Sequence, residues 1–134
     1  MQTRSSKETT MIERVEAPAG VLGFRLTGEI TRRDYDEVLM PALREAIDGG
    51  GELRCLVVVG PEFEGYEAGT MWDDLKTGFR YGVGHHGAWR RMALVTDVEW
   101  MVKAAAIFGW MTPGELKVFP LAERDDATAW VSAP

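Results

Sequence analysis

The sequence predicts a single α/β domain, a largely parallel sheet of four or five strands with helices on both faces. LRCLVVVG, residues 53–60, is a near-continuous apolar run of strand length and β-branched character, as expected of a central strand covered on both sides. MALV (92–95) and LKVF (116–119) are shorter segments of the same kind. Helical stretches separate these strands, and that alternation implies right-handed crossovers and parallel pairing. The 134 residues, 46% hydrophobic and 27% charged, fit one globular domain with a real core.

Residues 1–10 are polar and without periodicity, so they are expected to be a disordered tail, with the domain running from 11 to 134. MIERVE and VLGFRLTGEI are strand-forming segments joined by Ala-Pro-Ala-Gly, and together they read as a hairpin. TRRDYDEVLMPALREAIDGGG is the clearest helix: Tyr35, Val38, Leu39, Ala42, Leu43, Ala46 and Ile47 share one stripe, and three glycines end it. Thr31 and Asp34 resemble a capping box with a shorter acid, and Pro41, off the stripe, should bend the helix. Further helices are expected from Ala68 to about Tyr81, from Val98 to about Met111, and from about Glu123 to Val131.

The net charge of -6 argues against a nucleic-acid partner, which needs clustered Lys and Arg, and it weakens attraction to anionic lipid. Arg32-Arg33 and Arg90-Arg91 read as solvated surface pairs. No apolar run approaches the roughly 18 residues of a membrane-spanning helix, and the first ten residues lack the apolar centre of a secretory signal. A cytoplasmic location follows as the expectation. The single cysteine, Cys55, rules out an internal disulfide and reads as a small buried apolar group.

No motif argues for an enzyme. GVGHHG (82–87) matches Gly-x-Gly-x-x-Gly, but it follows a helix and precedes a strand, the reverse of a dinucleotide-binding turn. His85 and His86 are adjacent, without a partner at zinc-ligand spacing. The pairs Asp73-Asp74 and Asp125-Asp126 fall early in helices, where carboxylates favour the positive end of the dipole. No catalytic residue, metal ligand or cofactor is therefore assigned.

The LVVVG strand, FEGYEAGTMWDDLK, and the long stretch from MALVTDVEWM through FGWMTPGELKVFP to the closing Ala127-x-x-Trp130 resemble a SpoIIAA-like protein of the STAS superfamily (sulphate transporter and anti-sigma factor antagonist). The resemblance runs from Met11 to Val131 and implies the layered α/β fold. It also implies a comparison with CRAL-TRIO lipid-binding domains. Signalling members carry a phosphorylatable residue, typically in Asp-Ser-x-Gly, at the start of the helix after the third strand. This chain reads GPEFEGYEAGTMWDDL there, with no serine; Thr70 is the one hydroxyl residue near the place apart from Tyr66, and no phosphorylation site is assigned.

An aromatic segment stands where the switch would be. Phe63, Tyr66, Trp72 and Phe79 lie along it, and Gly60, Gly65 and Gly69 make the part before Trp72 a candidate mobile lid over an apolar groove. In the next helix, Thr96 and Glu99 form a T-x-x-E capping box, so the start is expected at Asp97 or Val98. On a wheel, Met101, Ala104, Ala105 and Phe108 share the core face, Trp100, Ile107 and Met111 lie on its flank toward the core, and Trp110 either projects onto the polar stripe or, if the helix ends by Gly109, folds back under the Pro113-Gly114 turn. Candidate ligand-binding residues are thus Phe63, Tyr66, Trp72, Phe79, Trp100, Ile107, Trp110 and Met111. The expected function is a non-catalytic SpoIIAA-like domain binding a small apolar or amphipathic, lipid-like ligand, with a membrane surface and a homodimer as further partners. The alternative is a regulatory protein-interaction module of anti-sigma-antagonist type that lacks the phosphoserine switch.

Overall fold

The computed structural model describes residues 11–49, 52–66, 89–108 and 114–134. Their five strands form one sheet in the order β1-β2-β3-β4-β5. β1 (Ile12–Val15) and β2 (Leu22–Ile30) make the expected antiparallel hairpin, and β2, β3 (Leu53–Tyr66), β4 (Trp89–Thr96) and β5 (Glu115–Phe119) are mutually parallel. The hairpin closes through Val21 N–H donating to the Pro18 carbonyl at 3.0 Å, with Gly20 at φ 86°, a value that favours glycine.

Helix α1 is one continuous rod built of Arg32–Asp34, a π turn over Tyr35–Leu39, and Met40–Asp48. Met40 N–H reaches back to the Tyr35 carbonyl, so the turn ahead of Pro41 is one residue wider than usual. Pro41 has no N–H for the Glu37 carbonyl, and its ring crowds that group; the wide turn accommodates both effects. The expected bend therefore takes the form of a π turn. At the other end the capping box is complete: Asp34 N–H donates to Thr31 Oγ1 at 3.2 Å, and the Asp34 carboxylate accepts from Thr31 N–H at 2.8 Å.

Asp34 does more than close this cap. Its other oxygen accepts the Met11 N–H at 2.9 Å, tying the start of the hairpin to the start of α1, and the residue is buried. Asp34→Ala should strand these donors and cost about 2–3 kcal/mol. Urea unfolding checks this; a loss under about 0.5 kcal/mol would show that the anchor contributes nothing.

Side chains alternate across the sheet. Leu56, Val58, Ala93, Val95 and Phe119 face one way and pack under Ala127 and Val131 of α3 (Arg124–Ser132), which is entered through a short 3-10 turn, Leu121–Glu123. On the opposite face, Phe24, Leu26 and Val59 meet Ala42 of α1 and Met101 of α2 (Glu99–Phe108), while Leu53 and Cys55 meet Tyr35, Met40 and Leu43. Helices thus cover both faces, as the sequence predicts.

Of the pair Arg90-Arg91, Arg90 is exposed as the solvated-surface reading has it, and Arg91 departs from that reading. Arg91 is mostly buried: its guanidinium donates to the Trp130 carbonyl at 2.6 Å, pairs with Glu115 at 3.0 Å and lies 5.0 Å over the Trp130 ring. Arg54, two strands' width from the edge, donates to the Val131 and Ala133 carbonyls at 2.7 and 2.6 Å. Two guanidiniums therefore hold the negative end of α3, where the Trp130 carbonyl otherwise has the Ala133 N–H at 3.3 Å and the later carbonyls lie past the last helical turn.

Cys55 is buried as expected. Burial pushes its thiol from 9.0 up to about 12, against a smaller opposing effect of the Arg14 charge. Because the folded value is raised, the neutral thiol's contribution to stability is intact below pH 9 and is lost between pH 9 and 12. Across that window, wild type should lose about 1.4 kcal/mol per pH unit relative to Cys55→Ala, measured by denaturant titration.

Candidate functional site

The site forms where β3 outruns its neighbour. Pairing of β3 with β4 ends at Val59 opposite Thr96, yet β3 continues to Tyr66 beside β2, through Gly28 opposite Phe63, Glu29 opposite Gly65 and Ile30 opposite Tyr66. Pro61 is tolerated there because that stretch no longer has β4 on one side to receive an N–H. The register shifts on both sides of Gly28 (φ 63°), and Gly65 stands at φ 113°, conformations that L side chains rarely adopt. An ion pair of Arg25 with Glu62 at 3.2 Å links β2 to the extension just beyond the regular ladder. Gly60 and Gly65 therefore belong to a strand, so up to Tyr66 the expected lid is corrected to a sheet extension, while Gly69 lies outside the described residues.

The extension sets Phe63 at the carboxyl end of the parallel strands, half-buried, with its ring centroid 6.2 Å from that of Trp100 and the planes tilted by 38°. Trp100 arrives from β4 by a tight turn. Thr96 Oγ1 accepts the Val98 N–H at 3.0 Å, and the Val98 carbonyl accepts the N–H groups of Met101 and Val102 at 3.1 Å. The helix starts at Glu99, one or two residues later than the capping-box reading placed it, because Thr96 caps the turn ahead of the helix.

Met101 takes the core face as predicted, at 8% exposure. Trp100 and Ile107, expected on its flank toward the core, are 45% and 62% exposed, and Val102 on the other flank is 36% exposed. Trp100 and Ile107 lie seven residues apart, on one stripe of α2 that begins at the Phe63 contact. Charge along this stripe is sparse. Lys103 and Glu99 form one pair at 4.0 Å with both side chains well exposed, an interaction that contributes little and leaves the stripe apolar.

The structure thus brings Phe63 and Trp100 together and extends them through Ile107. Tyr66 ends β3. Trp72, Phe79, Trp110 and Met111 lie outside the described residues, as do Thr70, the helix expected over 68–81 and the GVGHHG segment with His85 and His86. Among the described residues, no group of three or more His, Cys, Asp or Glu is placed to hold a metal ion, and no helix is long and apolar enough to cross a membrane. The arrangement offers apolar and aromatic contact surface. The sequence reading missed the length of β3, whose one positive signal is the polar–apolar–polar alternation Glu62-Phe63-Glu64 beyond Gly-Pro.

Comparison with known proteins agrees with this architecture. A SpoIIAA-like family model matches residues 21–132, most of the chain. Among solved structures, the chain is similar to an uncharacterized protein with a SpoIIAA-like fold from Shewanella loihica PV-4, with a TM-score of 0.68 and 29% identity over 90% of this chain and 91% of that one. No curated protein matches the sequence. The fold, the matched span and the structural neighbour together place this chain in the SpoIIAA-like family.

Proposed function

We propose that this protein is a non-catalytic, STAS-type binding domain that takes a small apolar or amphipathic ligand at the carboxyl end of its sheet, between the β3 extension and α2. The observation that carries this reading is the Phe63–Trp100 contact continuing into an exposed Ile107 on the same helix stripe. An exposed apolar stripe of this kind usually marks a contact surface. Open α/β sheets commonly bind ligands outside the carboxyl ends of their strands, where this surface lies. The ligand's acyl or aromatic part would lie along Trp100 and Ile107, with its polar end toward solvent.

Two measurements test the reading. Organic extraction of protein purified without detergent, followed by mass spectrometry, should find an amphiphile in wild type and a reduced amount in Trp100→Ala. Flotation with neutral vesicles should separate a soluble ligand carrier, which stays at the bottom, from a peripheral membrane protein, which rises with lipid. Absence of any co-purified amphiphile together with absence of flotation would remove the proposal.

A further inference from the structure

We propose that two copies of this chain pair through the edge strand β5, antiparallel and about Leu116, to make a continuous ten-stranded sheet. Among the described residues β5 is the last strand in the sheet order, with β4 on one side of its backbone and no described strand on the other. Its side chains alternate: Leu116 and Val118 are half-buried on the α2 face, while Glu115 and Lys117 are exposed on the α3 face. The helix adds apolar surface on that side. Trp100 marks the flank of α2 toward the β3 extension, and Val102, on the opposite flank, is 36% exposed.

Charge selects the partner and the register. An exposed lysine commonly protects an edge strand from pairing, and here Lys117 would meet its own copy if the strands were centred on residue 117. Centred on Leu116, each Lys117 lies opposite the Glu115 of the other copy, and the two leucines meet at the two-fold axis. One register is thus complementary, the register centred one residue further on is repelled, and a self-complementary patch of this kind suits a second copy of the same chain. β5 is five residues long and Pro120 follows it directly, which keeps the ladder short, so the association should be reversible.

Sedimentation equilibrium and a symmetric cysteine cross-link test the proposal together. Wild type should dimerise in the micromolar range, and Lys117→Glu, which sets acids opposite acids, should weaken the dimer at least tenfold without changing the circular dichroism. Trp100→Ala, on the other flank of α2, should leave dimerisation unchanged. Leu116→Cys should form an intermolecular disulfide under mild oxidation, since directly opposed strand residues have Cα atoms about 4.5–5.5 Å apart, within disulfide reach. Val118→Cys should not, because the two copies of residue 118 would be about 14 Å apart. Wild type remaining monomeric at high concentration, a dimer insensitive to Lys117→Glu, or Val118→Cys cross-linking as readily as Leu116→Cys would each overturn the proposal.

Discussion

Replacing Arg54 and Arg91 together by methionine should cost about 4–6 kcal/mol, a large share of the roughly 5–15 kcal/mol that holds a domain of this kind folded. Each guanidinium donates charge-assisted hydrogen bonds to carbonyls at the end of α3, and such bonds contribute about 1.5–3 kcal/mol apiece. Methionine keeps most of the aliphatic bulk, takes the charged donors from the Val131 and Ala133 carbonyls and leaves the Trp130 carbonyl with the Ala133 N–H alone. The two residues share the Ala133 carbonyl, at 2.6 Å from Arg54 and 3.4 Å from Arg91. Either single change therefore leaves that group one donor, and the double change should cost more than the two singles added. Beneath α3 lie Leu56, Val58, Ala93 and Val95, so partial release of the helix should raise binding of a hydrophobic dye before global unfolding. Arg91→Lys should recover less than half of the loss, because one ammonium cannot hold a carbonyl, pair with Glu115 and lie flat on Trp130 at once. A double variant within about 1 kcal/mol of wild type would show that water replaces the arginines without cost.

The second large effect is on binding. Trp100→Ala should weaken a neutral single-chain amphiphile at least tenfold while lowering stability by less than about 1.5 kcal/mol, because nearly half of this ring is already in water. Ile107→Glu should weaken the same ligand comparably and leave stability almost unchanged, since the residue is 62% exposed and a carboxylate there meets solvent when the ligand is absent. Phe63→Ala should act on both quantities, as Phe63 packs against the core cluster of Phe24, Leu26 and Val59 as well as against Trp100. The separation of affinity from stability at positions 100 and 107 distinguishes a binding surface from a misplaced piece of core. If all three variants lost stability and affinity in proportion, the surface would be structural.

Most of the fold was legible because its signals are local. The hairpin alternates, α1 carries its cap and stripe within a few residues, and β3 announces itself as Leu-Val-Val-Val. What escaped the sequence depends on register between distant segments. Arg91 meets Trp130 thirty-nine residues away, and no spacing rule links them. Gly60-Pro61 reads as a breaker, and becomes strand only because β3 at that point has lost β4 as a neighbour and needs no donor on that side. The candidate site divides the same way. Phe63 and Trp100 were singled out from composition and helical spacing, but their contact rests on the overrun of β3. Periodicity alone places Trp100 and Ile107 on the flank of α2 toward the core, whereas in the fold they are 45% and 62% exposed.

Hydrogen exchange of the backbone amides, measured with and without a saturating neutral amphiphile, tests the binding surface most directly. Ligand contact should slow exchange in the β3 extension from Gly60 to Tyr66 and in α2 from Glu99 to Phe108, leaving α3 and the hairpin unchanged, and Trp100→Ala should abolish the difference. Protection confined to α3 or β1, or no protection at a ligand concentration that mass spectrometry shows to be bound, would contradict the proposed site.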